Sequence, residues 1–109
     1  DDNYGMDKAF RREMKKVFPD KEWTEIPINH QIFNIYYKFN NGLPKIHEHD
    51  GKRPQALALF DNDKIIAIYT YESDLGDGWE DISVHGNDES KRQEALKMGT
   101  NIILYSLLR

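Results

Sequence analysis

No cysteine occurs in the 109 residues, which excludes disulfides, a thiolate nucleophile and cysteine-ligated zinc. Apolar runs are short. The longest, "NIILYSLL" from Asn101 to Leu108, falls well below the roughly 18 to 20 residues of a spanning helix, so it reads as a buried helix and no membrane insertion is expected. Positive charge is not in excess: a formal net charge of -4 gives no overall pull on a phosphate backbone, and nucleic acid is not an expected partner. Glycine-rich phosphate loops are missing, and Ser73 and Ser106 lack the flanking glycines of a serine nucleophile elbow. No cofactor and no catalytic residue is therefore assigned.

What remains is the composition of a folded domain. Hydrophobic residues are 39 % and charged residues 31 %, which is too apolar for disorder, and 109 residues suffice for one core. The opening "DDNYG" lacks an initiator methionine, which predicts a start at a processing site or inside a longer polypeptide.

Met6, Phe10, Met14 and Val17 recur at spacings of three and four, predicting a helix that ends at Pro19, with Lys8, Arg11, Arg12, Lys15 and Lys16 on its solvated face. "WTEIPI" predicts a short extended segment, because Pro27 disfavours helix at Ile26. Asn29 then predicts a capped short helix through "HQIFNIYYKF", followed by a loop from Asn40 to Pro54. In "QALALFDNDKIIAIYTY" the apolar runs Ala56 to Phe60 and Ile65 to Tyr71 flank Asn62 and Asp63, which tolerate positive φ, so a β-hairpin is expected. Both of its faces carry apolar residues, which predicts cover on both sides and three layers. Asn87 or Asp88 should cap a last helix from Glu89, with an apolar band of Ala95, Leu96, Ile102, Ile103, Ser106 and Leu107. Gly99 inside that helix predicts a close crossing over a strand or another helix. Two or three strands are few for a sheet covered on both faces. The chain is expected to be a single domain (1-109), or the C-terminal half of a larger α/β domain, or to pair with another copy.

"SDLGDGWE", Ser73 to Glu80, concentrates acids, two glycines and a tryptophan at a strand end, where open α/β sheets commonly bind ligands. A structural turn accounts for most of it, since glycine opens unusual backbone conformations and aspartate bonds nearby amides. A calcium loop does not fit, because Gly76 takes a ligand place. A looser cation or sugar site using Asp74, Asp77 and Glu80 beside Trp79 is the candidate binding site. "HEHD" places His47 and His49 two apart with Glu48 and Asp50 beside them, a second candidate binding patch with too few ligands for a closed metal site. His30 reads as a capping or packing residue.

The stretches "FRREMKKVFPD", "IPINHQIFNIYY" with its loop to "GLPKI", "DLGDGWE" and "ALKMGTNIILYSLL", in this order, make the chain resemble the bacterial family known as domain of unknown function 4159. The resemblance implies a three-layer, flavodoxin-like, glutamine-amidotransferase-like α/β sandwich, a mixed sheet with a C-terminal hairpin. It also places Asp1 to Asn3 just after a central strand, so that the N-terminal half is missing. Glutamine hydrolysis is not implied, because no cysteine fills the nucleophile's role. The setting it implies is the periplasm or cell envelope. The expected function is a non-catalytic binding domain whose partner is an unknown small ligand or a protein, with a homo-oligomer or the missing half as a further contact. The alternative is a divergent hydrolase of a glycan or related polar substrate using carboxylates of the Asp74 to Glu80 loop.

Overall fold

In the computed structural model, residues 5–46, 52–80 and 88–108 are described. The first helix, α1, spans Met6–Val17 and forms where the apolar stripe predicts it, with Gly5 supplying the positive φ of 89° at its entry. Its C-terminal turn closes through the Phe18 amide to the Met14 carbonyl, and Pro19 follows. The strands β1 (Thr24–Glu25), β2 (Gln55–Asp61) and β3 (Lys64–Tyr71) form one antiparallel sheet in the order β1-β2-β3. A mixed sheet is thus not what the described residues build. The hairpin is where it was expected: Asn62 and Asp63 take φ of 49° and 67°, the paired left-handed geometry of a two-residue turn.

The pairing of Leu57 with Tyr69 and Leu59 with Ala67 sets these residues on one face of the sheet, and Ala56, Ala58, Phe60, Ile65, Ile68 and Thr70 on the other. Helix α1 covers the first face. Phe10, Trp23 and Tyr69 pack with ring centroids 4.6 to 5.8 Å apart, and Arg11 lies over the Tyr69 and Tyr71 rings at 5.6 and 5.3 Å. Asp7 holds the helix start in place: it accepts from Arg11 Nε at 2.8 Å and from the Tyr69 hydroxyl at 2.8 Å. The second face meets helix α2 (Glu89–Leu108) and the segment 26–46 in the main core, where Ala58, Ala95 and Met98 are fully buried. Small residues on β2 allow this close approach. The expectation of cover on both faces is therefore met by two helices.

Two expected elements differ. The predicted helix after Asn29 is a single 3-10 turn, Gln31–Phe33, capped by His30, whose Nδ1 accepts the Ile32 amide at 3.1 Å. Helix cannot continue because the buried amide of Asn101 captures the next stretch. Its Nδ2 donates to the carbonyls of Ile32 (2.9 Å) and Tyr37 (2.7 Å), and its Oδ1 accepts the Tyr37 amide at 3.0 Å. Helix α2 begins as expected, with Asp88 Oδ1 accepting the Lys91 amide at 2.8 Å. Its buried stripe is Ala95, Met98, Asn101 and Tyr105, whereas Ile103 and Leu107, expected inside, are 60 % and 72 % exposed.

Candidate functional site

After Tyr71 the chain bends sharply, with Glu72 and Asp74 both in the left-handed region at φ 59° and 55°. Glu72 and Ser73 are buried between strand and loop, and the Ser73 hydroxyl donates to the Pro44 carbonyl at 2.6 Å while its carbonyl accepts the Ile46 amide at 2.8 Å. Leu75 drops into the core, and Leu75–Trp79 forms a 3-10 helix.

This short helix is docked on α2 at two glycines. Gly78 sits so close to α2 that a Cβ built on it would lie 2.5 Å from the Ala95 Cβ, inside any permitted contact. One residue on, the Trp79 indole Nε1 donates to the Ala95 carbonyl at 2.7 Å. Its ring lies over Gly99, where a Cβ would meet Nε1 at 3.1 Å. The close crossing expected at Gly99 is therefore made by an indole rather than by another element's backbone.

The turn expected of "SDLGDGWE" forms, but not through its glycines: the left-handed positions are Glu72 and Asp74, Gly76 faces open space, and Gly78 is required by its closeness to Ala95. The acids and the indole are more open: Asp74 and Asp77 are half-buried, Glu80 is exposed, and Trp79 keeps 46 % of its surface in solvent. His47 and His49 lie outside the described residues. Ile46, just before them, packs beside Gly78, its Cγ2 being 3.3 Å from the position of a Cβ there. Among the described residues no three histidine or acidic side chains converge to hold a metal ion.

Clefts lie to either side of the fold. One of about 500 Å³ is lined by Lys38, Phe39, Asn41, Lys45, Glu94 and Lys97, among others, and is cationic in balance. Lys97 also stands 5.4 Å from the Tyr37 ring, and Lys91 donates to the Lys45 carbonyl at 3.0 Å. A second, of about 380 Å³, lies between α1 and the sheet over Trp23 and Leu59, with Arg11, Arg12, Lys15 and Lys21 at its rim. These rim cations are engaged, Lys15 with Glu22 at 2.6 Å and Lys21 with Asp61 at 3.2 Å. The basic face of α1 is thus the solvated face expected from the sequence, with Arg11, Arg12, Lys15 and Lys16 each paired to a nearby acid.

Titration follows the same contacts. Burial pushes the Asp7 carboxyl up, but the bonds from Arg11 and Tyr69 outweigh it and hold the group below the usual carboxylate range. Burial and the bond to Asp7 push the Tyr69 phenol well above its ordinary value. Burial lowers His30, in keeping with a neutral ring whose Nδ1 accepts a backbone amide. That residue caps and packs, as the sequence indicated.

Sequence reasoning missed Asn101 and the pairing of Gly78 with Ala95. The signal for the first was available: a polar residue inside an otherwise apolar stripe, which in a core must find partners. The second needs the distance between two segments and leaves no local mark.

No curated protein and no solved structure matches the chain. Among the described residues no helix is long and apolar enough to cross a membrane. The family model described as domain of unknown function (DUF4159) matches residues 1–107, essentially the length of the chain, in agreement with the four stretches that carry the resemblance. The chain belongs to that family.

Proposed function

We propose that this chain is a non-catalytic binding domain of a bacterial envelope protein, recognising a small polar ligand or a protein segment through Asp74, Asp77, Trp79 and Glu80. One observation carries the reading. The Trp79 indole is held at its N–H by Ala95 and underneath by Gly99, yet stays nearly half exposed, with Asp77 and Glu80 close to it in the sequence. A fixed, half-exposed aromatic face on an acidic segment suits a partner with an apolar face and hydroxyl or amide donors, a sugar ring being the smallest example, and it costs little ordering entropy on binding. His47 and His49 belong to the proposed binding set on their sequence pattern alone. The envelope setting and the flavodoxin-like, glutamine-amidotransferase-like completion of the fold rest on the family resemblance.

Fluorescence tests it directly, because the chain has two tryptophans and Trp23→Phe leaves Trp79 as the only reporter. Titration with soluble peptidoglycan fragments and chitin oligosaccharides is expected to shift or quench that emission, with Asp77→Ala weakening the response while the melting temperature holds. Unchanged emission across the series, or a response that Asp77→Ala and Glu80→Ala leave intact, rejects this surface as the glycan site.

A further inference from the structure

The cleft of about 500 Å³ between α2 and the segment 38–45 collects Lys38, Lys45 and Lys97 against one acid, Glu94, among the described residues. Positive charge is thus gathered at one place in a chain whose formal net charge is -4. None of the three lysines pairs with an acid among the described residues: the Lys45 ammonium donates to the Lys52 carbonyl, Lys97 stands over the Tyr37 ring, and Lys38 is exposed. Helix α1 shows the reverse pattern, since Arg11, Arg12, Lys15 and Lys16 each meet a carboxylate. Paired cations cancel much of their own field, whereas unpaired ones along the low-dielectric walls of a cleft focus it on whatever enters.

Both walls of this cleft are fixed. Asn101 ties the Tyr37 amide and carbonyl to α2 at 3.0 and 2.7 Å, Lys91 reaches from α2 to the Lys45 carbonyl at 3.0 Å, and the Ser73 hydroxyl holds the Pro44 carbonyl at 2.6 Å. A ligand entering here therefore orders lysine side chains but little backbone, which keeps the cost of binding low. The rest of the lining is mixed: half-buried Phe39 and Pro44 offer apolar surface, and Asn41 offers an exposed side-chain amide. No arginine lines the cleft among the described residues, so the planar fork that grips a carboxylate in two bonds is missing. Ammonium groups act as point charges with three donors each, which suits a group carrying several charged oxygens. The volume is that of a small-molecule site. We propose that this cleft binds a small organic phosphate, its phosphate oxygens held by Lys38, Lys45 and Lys97 and its organic body set against Phe39 and Pro44. The site shares no residue with the Asp74 to Glu80 surface, and neither reading depends on the other.

Amide NMR shifts of the 109-residue chain, titrated with adenosine monophosphate, glucose 1-phosphate and inorganic phosphate at an ionic strength held constant with chloride, test it. Saturating shifts are expected at residues 38–45 and 94–97, and at least one of the organic phosphates is expected to bind more tightly than inorganic phosphate, because only an organic body reaches Phe39. Lys38→Gln combined with Lys97→Gln should weaken that binding more than about tenfold, since each charge-assisted bond to the phosphate is lost. Lys15→Gln combined with Lys16→Gln removes the same charge from α1 and should leave the affinity within about twofold. All four side chains are largely in solvent, so the melting temperatures of both variants are expected to stay near that of the parent. Three results overturn the proposal: shifts that never saturate with any of the phosphates, a loss of affinity as large in the α1 variant as in the cleft variant, or both organic phosphates binding no more tightly than inorganic phosphate.

Discussion

Gly78 has no room for a side chain: a Cβ there would collide with Ala95 and press tightly on Ile46. A methyl group at 2.5 Å from the Ala95 Cβ must push the 3-10 segment off α2, and overpacking of this kind costs about 1 to 3 kcal/mol. Gly78→Ala is therefore expected to lower stability in urea unfolding by that amount, and adding Ala95→Gly should recover part of it despite the weaker helix propensity. A Gly78→Ala protein as stable as the parent would mean that the segment is not packed as described. Asn101 shows the opposite economy: one buried amide satisfies three backbone groups of a segment more than sixty residues away. That bonding matters more than the side chain's own helix propensity.

At the scale of elements, α1 depends on few anchors. It has no fully buried residue and is held by the Phe10, Trp23 and Tyr69 cluster together with Asp7. Because the folded Asp7 titrates below its unfolded value, its contribution is complete above the usual carboxylate range and is lost as pH falls through the lower folded value. Stability measured against pH should thus decline on the acid side, and Asp7→Asn should flatten that part of the profile while lowering stability at neutral pH. An identical acid slope in parent and variant would contradict the assignment. Helix α2 is anchored differently, by a buried stripe through Ala95, Met98, Asn101 and Tyr105. Its apolar residues extend around the helix, so that Ile103, Leu107 and Leu108 remain exposed.

For the whole molecule, local patterns were legible and distant pairings were not. The α1 stripe, the turn at Asn62 and Asp63 and the Asp88 cap each depend on residues within one or two turns of each other, and each stands where the sequence placed it. The short helix after Asn29 failed because Asn101, far along the chain, competes for its backbone. The band on α2 was misjudged because leucines and isoleucines on several sides give no single face to choose. The acidic bend was recognised as a turn and as a candidate surface, but the fit of Gly78 on Ala95 and of Trp79 over Gly99 exists only once the strand end meets the helix. What unites these contacts is a strand-end segment clamped to α2 so that it presents one fixed indole. Hydrogen exchange at the Trp79 indole N–H, resolved from that of Trp23 by single substitution, measures the clamp itself. Exchange slowed far below that of a solvent-exposed indole is the predicted result; exchange at the rate of a free indole in the folded protein would contradict it.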